Sequence, residues 1–133
     1  MAYISQEKKA KIAPVIKAIL KNYDIKGTLS IHNHSTLNLN IKSGPIDFIG
    51  NANAISARHA NPQFREVAKD YIQVNPYWYH EHFSGEAKAF LKKVLEAMND
   101  GNHDNSRIEI DYFDVGWYVN VNIGRWDRPY KLT

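Results

Sequence analysis

The chain has 133 residues, the size of one domain, and 44% of them are hydrophobic, which suffices for a folded core. It contains no cysteine, so disulfide bonds and thiolate metal sites are excluded, and its net charge of +3 is only mildly basic. No apolar run approaches the ~20 residues of a membrane span, and lysines interrupt the first apolar cluster, so we expect no signal peptide and a protein of a reducing cytosol.

The first predicted element is an amphipathic helix that begins after Ser5 and ends before Gly27. Its apolar residues recur at the spacing of one helical face: Ile12, Val15, Ile16, Ile19, Leu20 and Tyr23. Ser5 is a suitable N-cap, and Gly27 is a suitable residue to follow the end of the helix. We expect Pro14 to kink this helix or to begin its second segment.

Lysines are concentrated in and around this helix: Lys8, Lys9, Lys11, Lys17, Lys21 and Lys26 are opposed only by Glu7 and Asp24. A basic face of this kind attracts phosphate backbones or acidic protein surfaces. An ordinary solvated helix face carries lysines as well. We therefore treat Lys17 and Lys21 as candidate binding residues and keep both interpretations open.

A β-hairpin is predicted after the helix. Leu29 and Ile31 alternate with polar residues, a turn passes through 33–35, and the alternation resumes in "LNLNI" at 37–41. Asn38 and Asn40 then point away from the buried side. Asparagine is depleted in strands, so the presence of Asn38 and Asn40 on this strand needs an explanation.

The insert between about 45 and 83 has no counterpart elsewhere in the chain. A short strand is predicted in "GPIDFIG", a loop in "NANAISARHANP", and a helix from Asn61 and Pro62 with the apolar stripe Phe64, Val67, Ala68 and Tyr71. The aromatic segment "VNPYWYHEHF" follows. Its rings Tyr77, Trp78 and Tyr79 either cover the edge of the core or anchor a partner. We expect one side of the segment to pack against the core and the other side to stay exposed.

The second half repeats the first. A helix from about Ser84 to Asn99 carries the stripe Ala87, Phe90, Leu91, Val94, Leu95 and Met98, each 75 positions after a member of the first stripe. A hairpin through Ile108, Ile110 and a turn near Asp114 and Gly116 is expected to follow. Its second strand, "VNVNI" at 119–123, carries Asn120 and Asn122 on the outward side.

These patterns predict one α+β domain at 1–133, with pseudo-repeats at about 5–42 and 84–124. Two α-β-β halves most simply form a four-stranded antiparallel sheet with both helices on one face, plus the helical and aromatic insert. The two halves should superimpose, with Val119, Val121 and Ile123 in the places of Leu37, Leu39 and Ile41. The four asparagines would lie together on the opposite face, which is either a functional polar surface or a merely solvated one.

Sequence signals for catalysis are weak. The pairs His32 with His34 and His80 with His82 have a spacing that chelates metals on a strand, with Glu81, His59, His103 or Asp111 as a further ligand. However, His34 falls in a predicted turn and no metalloprotease motif is present. Glu109, Asp111 and Asp114 form an acidic cluster of the kind that binds Mg²⁺ in nucleases. No nucleotide-binding loop or nucleophile motif occurs. We expect no cofactor and no bound transition metal.

Two segments, "FREVAKDYIQVNPYWYHEHFSG" and "DYFDVGWYVNVNIGRW", resemble a large polyvalent protein-associated domain family of phage and plasmid proteins. The resemblance extends over nearly the whole chain and implies a context, namely mobile elements that enter a host cell. The family has no established catalytic residues, so none is transferred.

The leading functional hypothesis is therefore a non-enzymatic protein that binds and inhibits or modulates a host factor in the host cytosol, in the manner of an anti-defence or anti-CRISPR protein. Its partner would be a host protein or ribonucleoprotein complex, bound through the Asn face, the Tyr77–Phe83 segment and the hairpin tips. The second hypothesis is direct nucleic-acid binding through the basic first helix and the aromatic residues. The third is a metal-dependent hydrolase or nuclease.

Overall fold

The structure is a computed structural model that describes residues 3–58, 70–102 and 116–133. They form an α+β fold with a five-stranded mixed sheet, which confirms the predicted class. The described elements, in chain order, are α1 (Gln6–Asn22), β1 (Lys26–His32), β2 (Thr36–Gly44), α2 (Phe48–Ser56), β3 (Ile72–Val74), α3 (Tyr79–His82), α4 (Gly85–Met98), β4 (Tyr118–Ile123) and β5 (Lys131–Leu132).

The strands are ordered β1-β2-β4-β3, and β5 pairs with the end of β2. The antiparallel β1–β2 hairpin is confirmed, but the four-stranded, wholly antiparallel sheet is wrong because β2 and β4 run parallel. Their register aligns Leu37 with Val119, Leu39 with Val121 and Ile41 with Ile123. The alternation of apolar residues determines which side of a strand is buried, but it is the same in both strand directions.

The core is formed by the inward residues of β2 and β4 together with the apolar stripes of the two long helices. Ile12, Ile16 and Leu20 from α1 join Phe90, Leu91 and Val94 from α4 in one cluster of buried residues. The two helices also contact each other. Because the same cluster contains the inward residues of β2 and β4, the outward residues of these strands lie on the face opposite the two helices.

The ends of α1 are set by short polar contacts. The Ser5 Oγ accepts a 3.0 Å hydrogen bond from the Lys8 backbone N–H, which confirms the predicted N-cap. At the other end, Asp24 adopts the left-handed conformation with φ 55°. Gly27 lies inside β1 instead, where an added Cβ would be 2.8 Å from the Asn40 backbone oxygen. The glycine is therefore required by close strand pairing rather than by the helix end.

The first part of the insert differs from its prediction. Residues 48–56 form α2, where a strand followed by a loop was expected. The Asp47 Oδ1 accepts a 2.8 Å hydrogen bond from the Gly50 backbone N–H, so a side-chain cap begins a helix here. Phe48 is fully buried, and the ring of Tyr130 lies 5.6 Å from its own in an edge-to-face contact. The burial of Phe48 alone is compatible with a strand or with a helix, and the Asp47 cap is the feature that favours the helix.

Several predictions fall outside the described residues. These are the helix expected from Asn61, the strand through Ile108 and Ile110, and the turn at Asp114. Superposition of the two halves therefore stays a prediction. The described helices include none that is long and apolar enough to cross a membrane.

Candidate functional site

The four outward asparagines form two rows across the parallel pair of strands. Asn38 is in register with Asn120, and Asn40 is in register with Asn122. Neighbouring strands lie ~4.8 Å apart, so each pair of side chains is in contact distance on the same face. All four are partly exposed, whereas the residues that alternate with them are buried.

The polar surface extends beyond these two strands. On β1, Ser30 is in register with Asn38 and Thr28 with Asn40. On β3, Gln73 is in register with Asn122. The rows are thus Ser30–Asn38–Asn120 and Thr28–Asn40–Asn122–Gln73. We call this uncharged surface of hydroxyl and amide groups the open face.

One side-chain hydrogen bond joins the two strands on the open face. The Asn122 Nδ2 donates to the Asn40 Oδ1 at 3.1 Å. Within the described ranges, the remaining amide donor of Asn40, the amide oxygen of Asn122 and the amide of Gln73 have no further partner. A donor and an acceptor therefore lie side by side and are available to a ligand.

A depression with two exposed rings lies where β4 ends. Trp126 is 77% exposed and Tyr71 is 49% exposed. They line a depression of about 360 Å³ together with Asn40, Ile72, Gln73, Asn122, Gly124 and Arg125. We call it the Trp126 depression. Its volume is near the lower end of the ~300–1,000 Å³ of small-molecule sites.

Trp126 is held on a tight turn. Gly124 has φ 71°, and an added Cβ would be 2.5 Å from the Tyr130 backbone nitrogen, so only glycine fits where the chain leaves β4. The Arg125 N–H then donates to the Arg128 oxygen at 2.8 Å, and the Arg128 N–H donates back to the Arg125 oxygen at 3.1 Å. These two bonds fix the turn that presents the ring.

Tyr130 anchors this turn to the rest of the protein. Its hydroxyl donates a 2.7 Å hydrogen bond to the Ile46 backbone oxygen. Burial, with a smaller contribution from the Asp47 carboxylate, raises the pKa of the Tyr130 phenol from its ordinary value of 10.0 to about 12. The hydrogen bond to Ile46 thus makes Tyr130 a structural support beneath the exposed turn.

Cations surround the same end of the sheet. Lys42 follows Asn40 by two positions on β2, and Lys131 is in register with Ser43. Arg125 and Arg128 belong to the turn that carries Trp126. Two carboxylates, Asp70 and Asp127, belong to the described residues next to this turn, and the Asp127 Oδ1 lies 3.5 Å from the Arg125 Nε. Among the described residues at this end of the sheet, the four cations Lys42, Arg125, Arg128 and Lys131 outnumber the two carboxylates, which favours an anionic ligand.

A second, larger depression of about 860 Å³ lies toward the start of β4. Its described lining includes Thr36, Gln73, Asn75, Tyr77, Tyr118 and Asn120. Tyr118 precedes Asn120 by two positions and lies on the same face, exposed. Gln73 lines both depressions. The open face is therefore bordered at both ends by exposed aromatic rings and is continuous between them.

The predicted aromatic segment divides as expected between core and surface. Tyr77 and Trp78 are exposed, Tyr79 packs against the core, and Phe83 is buried. The Asn75 Oδ1 accepts hydrogen bonds from the Tyr77 N–H at 2.9 Å and the Trp78 N–H at 3.2 Å. The structure brings Tyr77 and Asn120 to one depression, whereas Trp78 stacks on His80 at 6.3 Å and does not line it.

Lys17 and Lys21 do not join this site. Both are exposed on α1, and Ile12, Ile16 and Leu20 on the same helix point into the core. The core separates α1 from the open face. The predicted site residues thus fall into two groups on opposite sides of the protein, and a single ligand that covers the open face does not reach the helix lysines.

The histidine pairs are not arranged as chelating pairs. His32 lies on β1, but His34 lies in the turn with φ 61°. His80 and His82 belong to the short helix α3, where residues two apart point in different directions. Among the described residues, no group of three or more histidine, aspartate or glutamate side chains could hold a metal ion. The acidic cluster Glu109, Asp111 and Asp114, together with His59 and His103, lies outside the described residues.

Sequence reasoning missed Tyr71, Gln73, Tyr118, Arg125 and Trp126. One local signal was available, because Tyr118 continues the outward alternation of Asn120 and Asn122. The other residues reach the open face through the β3–β4 pairing and the turn after β4, for which the sequence has no periodic pattern. Comparisons of the chain with protein-family models, curated proteins and solved structures found no match.

Proposed function

We propose that the protein is a non-enzymatic binding protein that binds a host macromolecule through the open face of its sheet. The observation that carries the proposal is the open face itself, a surface of partly exposed amides and hydroxyls with exposed aromatic rings at both ends. Aromatic anchors next to hydrogen-bonding groups are the composition of binding interfaces.

The residue types support recognition rather than stability alone. A solvated strand face is better served by threonine, since asparagine competes for backbone hydrogen bonds and is depleted in strands. This sheet nevertheless has asparagine at four neighbouring outward positions. Amides supply a donor and an acceptor on each side chain, so they can recognise a specific pattern of polar groups.

The same residues favour binding over catalysis. The outward residues between Thr36 and Asn40 on β2, with Gln73 on β3 and Tyr118–Asn122 on β4, include no carboxylate, histidine or lysine. Acid–base and nucleophilic chemistry needs such groups within hydrogen-bonding reach of a substrate. A surface of amides and rings binds and positions a partner instead.

The biological setting of the proposal comes from the resemblance that we infer for two segments to a large polyvalent protein-associated domain family, for which no family model matches the chain. On that basis the partner is a host protein or ribonucleoprotein complex, which the protein inhibits or modulates inside the host cell as an anti-defence, anti-CRISPR-like factor of a phage or mobile element. Small proteins of this kind act by occupying a surface, which the open face is suited to do.

Capture of partners from host lysate, with identification by mass spectrometry, tests the proposal. The bait is compared with Asn120→Glu, which places a charge in the open face, and with Lys21→Glu, a matched control on the opposite side. We expect a partner that is lost with Asn120→Glu and kept with Lys21→Glu, at unchanged melting temperatures. Equal capture by all three baits would overturn the proposal, and loss only with Lys21→Glu would favour the basic helix instead.

A further inference from the structure

We infer that the Trp126 depression is a binding site for an unpaired nucleobase of single-stranded nucleic acid. The inference rests on the proposed function and deepens it, because it assigns a ligand chemistry to one end of the open face. Three independent features of the depression carry it: its rings, its amides and its charge.

The rings provide stacking surfaces. Trp126 and Tyr71 both line the depression and both are exposed, so their faces are accessible to a flat ligand. Stacking of bases on aromatic side chains is the main source of affinity in proteins that bind single strands. The hydrogen bonds of the turn at 125–128 fix the backbone that carries Trp126, so the backbone loses little conformational freedom on binding.

The amides provide hydrogen-bonding groups for a base edge. The bond between Asn122 and Asn40 uses one donor and one acceptor and leaves a donor on Asn40 and an acceptor on Asn122. Gln73, in register with Asn122, adds another amide at the same depression. Base edges present donors and acceptors side by side, and asparagine and glutamine are common partners for them.

The charge favours a polyanion over a neutral ligand. Arg125 lines the depression. Among the neighbouring described residues, Arg128 belongs to the same turn and Lys42 and Lys131 to the adjoining strand ends, against the carboxylates of Asp70 and Asp127. A phosphate backbone that passes this rim gains contacts which a neutral sugar cannot make. A duplex keeps its bases stacked inside the helix, so only an unpaired base can enter between the amides and the rings.

Fluorescence anisotropy with the full chain tests the inference. The probes are fluorescein-labelled ten-nucleotide strands of oligo(dA), oligo(dT), oligo(rA) and oligo(rU), an abasic strand of equal length, and a duplex. We expect the base-bearing strands to bind at least tenfold more tightly than the abasic strand and the duplex. Equal binding of the abasic strand, or no binding of any probe, would overturn the inference.

Two variants locate the site. Trp126→Ala should weaken binding about tenfold or more, since it removes a ring on which the base stacks. Trp78→Ala, which removes an exposed ring outside the depression, should leave binding unchanged. Asn40→Asp changes one amide to a carboxylate of the same shape, so it tests the site without removing a ring, and we expect a similar loss. Melting temperatures establish that each variant is folded. Unchanged binding by folded Asn40→Asp would contradict the inference.

Nuclease treatment separates this inference from the proposed function. If the oligonucleotides fail to bind while nuclease-treated lysate still yields a partner that Asn120→Glu loses, the nucleobase site is wrong and the open face binds protein. If the oligonucleotides bind as expected and nuclease treatment removes the captured partner, the nucleobase site is supported as the means of recognition.

Discussion

The side-chain amides of Asn40 and Asn122 are hydrogen-bonded at 3.1 Å although 82 positions separate them in the chain. They meet because the parallel pairing of β2 and β4 places every outward residue of one strand beside its counterpart on the other. The alternating asparagines of "LNLNI" and "VNVNI" therefore form one surface rather than two. This surface lies opposite the helices and borders both exposed depressions.

The asparagine pair should contribute more to binding than to stability. In the double variant Asn40→Thr, Asn122→Thr, we predict a free energy of unfolding that is unchanged or higher by up to about 1 kcal/mol, since threonine is the better strand residue and offsets the loss of one part-buried hydrogen bond. Urea denaturation measures it. A loss of about 2 kcal/mol or more would show that the amide pair is structural.

Trp117 should be the most sensitive tryptophan for stability. Its Nε1 donates a 3.0 Å hydrogen bond to the Met98 oxygen at the end of α4, and its ring is buried. In Trp117→Phe this carbonyl loses its partner, so we predict a loss of ~1–3 kcal/mol in the free energy of unfolding. The matched control is Trp78→Phe, an exposed position that should change little. Equal effects at the two positions would contradict the assignment.

Asn51 should stabilise the N-cap residue of a helix distant in sequence. Its Oδ1 accepts a 2.9 Å hydrogen bond from the Ser84 N–H at the start of α4, and its Nδ2 donates to Ser84 oxygens. We predict that Asn51→Ala lowers the free energy of unfolding by about 1 kcal/mol, because it removes these side-chain hydrogen bonds. Ser84→Ala keeps the backbone N–H contact and should cost less. If Ser84→Ala costs more, the hydroxyl is the essential group.

Tyr130 should make the protein sensitive to alkaline pH. Its pKa is raised in the folded state from 10.0 to about 12, so folding favours the neutral phenol. This contribution is fully present below pH 10 and is lost as the pH rises toward 12, because the unfolded chain ionises first. Denaturation midpoints between pH 9 and pH 12 should fall in the wild type and fall less in Tyr130→Phe. An equal fall of the denaturation midpoint with pH in the wild type and in Tyr130→Phe would contradict this role of the phenol.

The local parts of the fold could be predicted because each has its own periodic pattern. The stripe of α4 and the alternation of Leu37, Leu39 and Ile41 identify buried faces from a few adjacent residues. The direction of β4 beside β2 could not be predicted, since Val119, Val121 and Ile123 alternate identically in either direction. The helix α2 was missed because Ile46 and Phe48 have the spacing of a strand, whereas the Asp47 cap begins a helix.

The candidate site could likewise be predicted only where a local periodic pattern marks its residues. Asn38, Asn40, Asn120 and Asn122 follow from strand alternation alone. Trp126 and Tyr71 do not, because they come together only through the pairing of β3 with β4 and a turn that depends on Gly124. Lys17 and Lys21 were proposed as binding residues together with the aromatic segment because the sequence shows which residues are charged but not which side of the protein they lie on. The core separates α1 from the open face.

The most direct test of the open face is site-specific photocrosslinking to the captured host partner. A photoreactive phenylalanine derivative is placed either at Tyr118 on the open face or at Val15 on α1, positions of similar exposure at 47% and 51%. Our account predicts crosslinks to the partner from position 118 and none from position 15. Crosslinks from position 15 alone would contradict it and would assign binding to the helix side of the protein.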